Sequence, residues 1–358
     1  MYVAHLRLRD FRNYSRLDAD FTPGCHLLLG DNAQGKTNLL EAIYLLATLR
    51  SFRGASNDQL VMHGQPWYFV GCTFVSTSRH EIKLFWSPKQ KKLSLDGLEV
   101  QKLSDYLGVI RAVVFCSEDV QLIKGPASRR RRFLDLLLTH TQPSYLYTLQ
   151  RYMRAVRARN ALLKQPVLDT TALDSFTRET VLAGEEIVKH RRRLVPKLAQ
   201  MLRAAYLDVT GTTEELHAVY RPSVDGDLAV AFAQNIDRER SSQTTLFGPH
   251  RDDLLLLLDN KPAAFFASEG QKRTIAIAMK MAQARYVAEA TGFPPILLVD
   301  DVMGELDRKR RSGFLPLLER SRQAGGQVFL TCTEENWPRD LPLELIRWRV
   351  QKGQLKKE

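Results

Sequence analysis

The densest group of residues able to do chemistry lies near the N-terminus, where glycines, a lysine and a hydroxyl side chain occur at a fixed spacing. The pattern G-x-x-x-x-G-K-[ST] is matched at every fixed position by Gly30-Asp31-Asn32-Ala33-Gln34-Gly35-Lys36-Thr37. Gly30 and Gly35 permit backbone torsions at which successive amide N–H groups point at phosphate oxygens. Lys36 would reach the β and γ phosphates, and the Thr37 hydroxyl would ligate magnesium. All eight residues are therefore predicted to bind ATP with Mg²⁺.

A pair of carboxylates follows a short apolar run farther along the chain. Ile296 to Val299 is typical of a buried parallel strand, and Asp300 and Asp301 come directly after it. Asp300 would hold Mg²⁺ through water, and Asp301 would orient or deprotonate the water that attacks the phosphate. On the sequence alone, two surface aspartates that cap the next helix remain an alternative.

A second loop, Ser268-Glu269-Gly270-Gln271, precedes a helical run and lies between the two nucleotide motifs. Because Ser268 is a good N-cap, a capped helix without further function is one interpretation. The loop also resembles the signature loop of ABC ATPases, which in that superfamily reaches across a dimer to the γ-phosphate held by the other subunit. That resemblance implies nucleotide contacts from Ser268, Gly270 and Gln271, and a catalytic role for Ser268 beside Lys36 and Asp301.

The elements that must position these motifs alternate between strand and helix patterns. Apolar alternation predicts strands on both sides of a turn at Arg12 to Tyr14, and a strand, a loop and a helix follow one another around the first motif. Residues 66–116 predict short strands with turns at 87–88 and 96–97, and residues 128–206 predict long helices. Further strands are predicted at 254–258, 296–299 and 327–331. The predicted fold class is α/β, with an ATPase domain formed by residues 1–120 and 241–358 and a helical arm at 121–240.

The positive charge is concentrated in the predicted arm. The chain carries 52 Lys and Arg against 40 Asp and Glu, a net of +12, and residues 121–205 hold 17 basic and 6 acidic side chains, a net of +11. Three clusters stand out: Arg129, Arg130, Arg131 and Arg132; Arg151, Arg154 and Arg157; and Arg191, Arg192 and Arg193. Solvated helix faces are the default interpretation of such clusters. Three of them in one segment favour contacts with DNA phosphates that are independent of base sequence.

Other function classes are disfavoured by composition. The longest aliphatic run, Leu254 to Leu258, is far short of the ~20 apolar residues of a membrane helix, and the N-terminus does not have the pattern of a signal peptide. A cytoplasmic location without a membrane partner is therefore expected. The four cysteines show no C-x-x-C spacing, which predicts reduced core residues.

Several stretches in chain order resemble the RecF family of bacterial recombination mediators. They are Leu8 to Tyr14, Gly30 to Ile43, Ser51 to Arg53, Val114 to Asp119, Lys124 to Asp135 and Gly248 to Asp253. The resemblance implies an SMC-like ABC fold, an ATP-dependent homodimer on duplex or gapped DNA, and action with RecO and RecR in loading RecA. It also implies slow, DNA-dependent ATP turnover that serves a binding switch. Gly304 to Asp307 resembles the D-loop of the same dimer interface.

Some positions depart from general ABC patterns. Asp301 stands where many ABC proteins have Glu, Glu269 replaces a signature glycine, and Thr331-Cys332-Thr333 occupies the place of the switch histidine. Gln121 is the candidate for the Q-loop glutamine, with a surface residue as the alternative. Three other functions stay open: an ABC transporter subunit, a P-loop kinase for a small metabolite, and a nucleotide-gated DNA-binding switch with negligible turnover.

Overall fold

The computed structural model describes residues 1–333 and 343–358, which form two compact units. The head unit contains residues 1–120, 204–213 and the described part of 273–358, and the arm unit contains residues 121–203 and 214–272. The sequence placed the return to the ATPase domain at residue 241. The return instead lies at residue 273, because residues 214–272 include a sheet that belongs to the arm.

The first strands and helix, in chain order, are β1 (Tyr2–Phe11), β2 (Tyr14–Asp20), β3 (Gly24–Leu29), α1 (Lys36–Thr48), β4 (Tyr68–Val75), β5 (Arg79–Ser87), β6 (Gln90–Leu95), β7 (Leu98–Glu99) and β8 (Ala112–Phe115). Next come α2 (Gln121–Lys124), α3 (Ala127–Thr141), α4 (Pro143–Leu163), α5 (Thr170–Thr210), β9 (Leu216–Arg221), α6 (Leu228–Gln234), α7 (Ile236–Ser242), β10 (Asp253–Leu258), β11 (Lys261–Pro262), α8 (Ala263–Phe266) and α9 (Glu269–Thr291). The last described elements are β12 (Ile296–Asp300), α10 (Val302–Glu305), α11 (Arg308–Gln323), β13 (Gln327–Cys332), β14 (Leu345–Gln351) and β15 (Gln354–Lys357). The Glu305 side chain lies outside the described part.

A mostly parallel sheet forms the core of the head unit. Its strand order is β15-β14-β3-β13-β12-β8, and only β15 runs antiparallel to its neighbour. The central strands β3, β12 and β13 are almost entirely buried, which explains their continuous apolar sequences. Since parallel strands share one carboxyl edge, this sheet places the ends of β3, β12 and β13 side by side. The predicted α/β class is confirmed.

A second, antiparallel sheet completes the head unit. Its order is β2-β1-β4-β5-β6-β7, and the buried and exposed residues of β2 and β5 alternate as expected for strands with one covered face. The predicted turns at 87–88 and 96–97 are confirmed. At the β1–β2 turn, Arg12 adopts a left-handed φ of 56°, and its guanidinium binds the fully buried Glu41 of α1 at 2.8 and 2.9 Å. Because Ser51 also donates to Glu41, this carboxylate ties the turn to α1.

The arm unit combines helices with a small sheet. One face of α4 is buried and includes Tyr145, Tyr152, Val156 and Leu163. Besides the predicted helices, this unit contains a three-stranded antiparallel sheet formed by β9, β10 and β11. The run Leu254 to Leu258 is a strand as predicted, but it belongs to the arm. β9 was missed because its six residues show little periodicity.

The predictions from apolar runs and cysteines can be compared directly with the structure. In the described residues no helix combines the length and apolar character needed to cross a bilayer. All four cysteines are buried and unbonded, as predicted. Burial raises the pKa of Cys25 to about 11, so its thiol is protonated at neutral pH.

His26 lies in the core of the head unit and is fully buried. The Trp348 indole N–H donates to His26 Nδ1 (3.0 Å), so the opposite nitrogen, Nε2, carries the proton and donates to the Thr22 carbonyl (2.7 Å). The ring stacks on Phe329 with centroids 5.1 Å apart. Burial lowers the pKa of His26 to about 4, so the folded protein requires the neutral imidazole.

We expect His26 to make the head less stable in mild acid. A histidine whose folded pKa is depressed contributes stability above its unfolded pKa of about 6.5, and that stability is lost as the pH falls toward about 4. Between pH 7 and pH 5 the loss should be about 2 kcal/mol of unfolding free energy. Urea denaturation of the parent protein and of His26→Gln at pH 7 and at pH 5 measures this change in unfolding free energy. The variant has no imidazole at position 26 and should not show the change. His63→Gln, at an exposed position, is the control. Identical pH dependence in the parent and His26→Gln would contradict the assignment.

Candidate functional site

The predicted phosphate loop connects β3 to α1 at the carboxyl edge of the parallel sheet. Gly30 and Gly35 have φ values of 156° and 117°, which side-chain-bearing residues rarely adopt. A Cβ atom at Gly30 would overlap the carbonyl of Val350, and one at Gly35 would lie 2.7 Å from the Asn13 amide. Both glycines are thus required by torsion and by space, as the sequence predicted.

Two neighbouring turns hold the phosphate loop in shape. From the β1–β2 turn, Asn13 Nδ2 donates to the Gln34 carbonyl (2.8 Å) and the Tyr14 hydroxyl donates to the Gly35 carbonyl (3.0 Å). From the β14–β15 turn, the Gly353 N–H donates to the same Gln34 carbonyl (3.1 Å). The loop is therefore preorganised by chain segments distant in sequence. The sequence predicted the turn that contains Asn13, but it indicated no role at the phosphate loop for Asn13 or Gly353.

Lys36 extends across the loop that precedes it. Its Nζ donates to the carbonyls of Gly30 (2.7 Å) and Asp31 (2.9 Å), and the residue is 4% exposed. Asp31, Asn32 and Ala33 are exposed, and Gln34 is half-buried. The ammonium charge is thus fixed at the loop, within reach of any phosphate that the loop amides bind.

Thr37 and Asp300 come together as a metal site requires. Thr37 Oγ1 donates to Asp300 Oδ1 (2.8 Å), and Thr331 Oγ1 donates to the same oxygen (2.8 Å). Burial raises the pKa of Asp300, the two threonine hydrogen bonds oppose that change, and the charges of Asp301 and Glu118 add to it. Hard oxygen ligands around a carboxylate in an acidic environment match Mg²⁺, which keeps several waters and substrate phosphates as its other ligands. The residues present therefore fit the predicted magnesium site.

Asp301 differs from Asp300 in its backbone conformation. It has a left-handed φ of 55°, and its N–H donates to Thr331 Oγ1 (2.9 Å). Asp301 occupies the N-cap position of α10 without a side-chain capping bond, so the alternative of two helix-capping aspartates is not supported. Thr331, at the position where a switch histidine was sought, orients both aspartates, and sequence reasoning missed it. The role of Asp301 as the base stays a prediction.

The segment after β8 contributes a further acidic side chain. β8 pairs in parallel with β12, with Phe115 beside Val299, so Glu118 follows β8 at the same carboxyl edge. Its charge helps to raise the pKa of Asp300, after burial as the largest cause. Gln121 is exposed at the start of α2 in the arm unit, and its assignment to the Q-loop stays a prediction.

Ser268 begins helix α9 through a reciprocal capping box. The Gln271 N–H donates to Ser268 Oγ (3.2 Å), and the Ser268 N–H donates to Gln271 Oε1 (2.7 Å). Gln271 Nε2 also donates to Glu214 (2.6 Å), and Lys124 forms an ion pair with Glu269. The capped-helix interpretation is confirmed as local geometry. It does not exclude the signature-loop interpretation, since Ser268 Oγ serves the cap as an acceptor and keeps its own proton to donate.

One of the arginines predicted to contact DNA has a structural role instead. Arg191 is 2% exposed, and its guanidinium binds Asp135 (2.7 Å), Asp252 (3.2 Å) and the Pro249 carbonyl (2.7 Å). A side chain that is buried and paired in this way is not accessible to a phosphate. The inclusion of Arg191 among DNA contacts is corrected accordingly, and local sequence could not reveal it because Asp252 is 61 residues away.

The other arginines divide into two groups. One group is half-buried and bound within the arm: Arg130 to Asp253, Arg131 to the Asp252 carbonyl, and Arg151 to Glu179. The exposed group consists of Arg129, Arg132, Arg154, Arg157, Arg192 and Arg193. A polyanion would therefore meet mainly this second group.

Comparisons with known proteins agree with one another over the whole chain. The family model described as the RecF/RecN/SMC N-terminal domain matches residues 2–355. The "DNA replication and repair protein RecF" of Lactobacillus johnsonii is 38% identical over 98% of this chain and 96% of its own length. A solved structure of the recombination mediator protein RecF with ATP in the RecFOR pathway superposes with a TM-score of 0.91 and 29% identity, covering 100% of this chain and 97% of that chain.

An SMC head domain from Pyrococcus furiosus shares the fold at lower similarity. Its TM-score is 0.58 with 14% identity, covering 100% of this chain and 96% of that chain. The head unit described above, with its phosphate loop and parallel sheet, is thus of the SMC-like ABC type. By its family model and its full-length relatives, this chain belongs to the RecF family of SMC-like P-loop ATPases.

Proposed function

We propose that this chain is an ATP-dependent DNA-binding protein of recombinational repair and replication restart. ATP would join two copies into a clamp on duplex or gapped DNA, and slow, DNA-dependent hydrolysis would release it. The observation that carries the proposal is the convergence of Thr37, Asp300 and Thr331 beside the phosphate loop. Family membership supports action with RecO and RecR in loading RecA, and it argues against a transporter subunit or a metabolite kinase.

The head residues have distinct tasks in this proposal. The loop from Gly30 to Thr37 binds the phosphates through its amides, and Lys36 exchanges its carbonyl partners for β- and γ-phosphate oxygens. Thr37 and Asp300 would hold Mg²⁺, and the ion would supply positive charge that offsets the negative charge of the phosphoryl group. Asp301 orients the attacking water. Its side chain is one methylene shorter than glutamate, which is consistent with slow turnover.

Dimer formation is supported by the surface next to Ser268. Phe265 and Phe266 are 83% and 68% exposed, an apolar pair that a lone chain would leave in water. The 23-residue helix α9 directs the positive end of its dipole toward the side on which Ser268, Gly270 and Gln271 lie. We therefore assign these residues to the nucleotide bound by the second copy, with the Ser268 hydroxyl as a donor to the γ-phosphate.

DNA binding is assigned to the exposed arginines of α3 and α4, namely Arg129, Arg132, Arg154 and Arg157. Arg154 and Arg157 are three residues apart, so they lie on neighbouring turns of one helix face. Contacts of this kind bind phosphates irrespective of base sequence and weaken steeply with salt. Arg192 and Arg193 lie beside a cavity and are considered separately below.

Lys36→Met should weaken ATP binding at least about tenfold and abolish ATP-dependent dimerisation, because it removes the charge that binds the β and γ phosphates.

Asp301→Asn should keep ATP binding and accumulate the dimer, because hydrolysis no longer resets it. Size exclusion with light scattering, with and without ATP and gapped DNA, measures the fraction of dimer in each of the two variants. A Lys36→Met protein that dimerises and binds DNA like its parent contradicts the clamp. Equal phosphate release by the parent and Asp301→Asn would instead favour a switch with negligible turnover.

Replacing both Phe265 and Phe266 with serine should weaken the ATP-dependent dimer at least about tenfold while leaving ATP binding by the isolated chain unchanged. Dimer dissociation constants from sedimentation at saturating ATP test this. Leu98→Ser removes another strongly exposed apolar side chain (76% exposed) and serves as the control. Unchanged dimerisation in the double variant would place the interface elsewhere.

Arg154→Gln with Arg157→Gln should lower duplex affinity and flatten its salt dependence. Losing two phosphate contacts should reduce the slope of log affinity against log salt by about 1.8. Fluorescence anisotropy of a labelled gapped duplex at several salt concentrations measures the slope. Lys89→Gln with Lys92→Gln removes the same charge from exposed positions of the head unit and should leave the slope unchanged. If both double variants change it equally, general charge rather than this helix face governs binding.

A further inference from the structure

The arm unit contains a cavity of about 420 Å³ that the proposed clamp does not use. One side is the middle of α5, and the other is formed by Pro222, Ser223, Val224, Gly226 and Leu228 together with Gly248 and Pro249. Its mixed lining distinguishes it from the arginine row of α4. Its volume lies in the range of about 300–1,000 Å³ that is usual for ligand pockets.

Three cations line the α5 side of the cavity and have no hydrogen-bond or ion-pair partner in the part of the chain that the structure describes. Lys189, Arg192 and Arg193 are exposed, and within the described residues none of them makes a hydrogen bond or an ion pair. The neighbouring Arg191 is buried and paired, so α5 uses one arginine for the fold and leaves the next two free. Free cations at the edge of a cavity attract an anionic ligand.

Acidic groups in the lining do not cancel this charge. Glu185 is the single exposed carboxylate among the lining residues. Asp252 is 1% exposed and already accepts from Arg191, from the Tyr220 hydroxyl and from the Ser223 N–H. Among the residues that line the cavity, the accessible charge is therefore three positive groups against one negative group. Asp225 and Asp227 are exposed in the same segment but do not line the cavity.

The wall opposite α5 is rigid. Ser223 Oγ donates to the Gly248 carbonyl (3.0 Å) and accepts from the Gly248 N–H (2.8 Å). Gly248 has a φ of 116°, and a Cβ there would overlap the Tyr152 hydroxyl, so only glycine permits this approach. The cavity thus has its shape before any ligand arrives, which lowers the entropic cost of binding.

The remaining lining is aliphatic. Val188, Val224 and Leu228 face the cavity, and no aromatic ring lines it. Single-stranded nucleic acid is usually bound by stacking of bases on aromatic side chains, and a phosphodiester has no apolar group for an aliphatic surface. An apolar side chain flanked by carboxylates matches this site, because the apolar side chain can pack against the aliphatic lining and the carboxylates can pair with the cations.

We propose that this cavity is the docking site for an acidic segment of a partner protein, in which an aliphatic side chain enters the cavity and flanking carboxylates bind Lys189, Arg192 and Arg193. This function is separate from nucleotide and DNA binding. Arg192 and Arg193, which the sequence predicted to contact DNA, bind a protein ligand in this proposal.

A labelled peptide of sequence Glu-Asp-Glu-Leu-Leu-Asp-Glu-Asp tests the site by fluorescence anisotropy with the full chain. We expect saturable binding, at least about tenfold tighter than that of the same peptide with serine in place of both leucines. Arg192→Gln with Arg193→Gln should lose at least about tenfold in affinity for the leucine peptide. Arg192→Lys with Arg193→Lys, which keeps the charge, should retain most of it and shows that the cavity still folds.

The matched control is Arg154→Gln with Arg157→Gln, which removes the same charge from the same unit. It should leave peptide binding within about twofold of the parent while weakening DNA. The proposal is overturned if both peptides bind alike, if the Arg192 and Arg193 double variant binds the leucine peptide like its parent, or if the control loses as much. Loss of DNA affinity in the Arg192 and Arg193 double variant without saturable peptide binding would return these arginines to the DNA surface.

Discussion

One carboxylate oxygen organises the head. Asp300 Oδ1 accepts hydrogen bonds from Thr37, at the start of α1, and from Thr331, in β13. The same Thr331 hydroxyl accepts from the backbone of Asp301. These bonds join the nucleotide loop to the two strands beside it and hold a charged group in a buried environment, where its negative charge is costly without a cation. The packing of the sheet therefore places a carboxylate with a raised pKa beside the phosphate loop.

The parts of this site that could be predicted are those encoded within a few consecutive residues. Gly30 and Gly35 indicate a phosphate loop, and the apolar run before Asp300 indicates a buried strand, because local sequence determines both the backbone torsion and the burial. The contributions of Asn13 and Thr331 could not be predicted, since each acts on residues brought near only by strand order. A threonine in a strand carries no signal of its hydrogen-bond partner.

In the arm, too, local sequence could not predict the role of each charged residue. Arg191, Arg192 and Arg193 are indistinguishable in sequence, yet one is buried with two carboxylates and the others are exposed beside a cavity. Helical periodicity separates their directions by about 100° per residue, but only the fold decides which direction is the core. Strand β9 was missed because its six residues show little periodicity, and its pairing partner β10 lies more than 30 residues later, where local sequence gives no sign of the pairing.

The bond from Gly353 to the Gln34 carbonyl has a consequence for biosynthesis. A ribosome completes the phosphate loop more than 300 residues before it reaches Gly353, and β14, which flanks β3, emerges equally late. A nascent chain therefore carries the residues of the motif long before the scaffold that shapes them exists. During synthesis, preorganisation of the loop for phosphate therefore waits until the β14–β15 hairpin has left the ribosome.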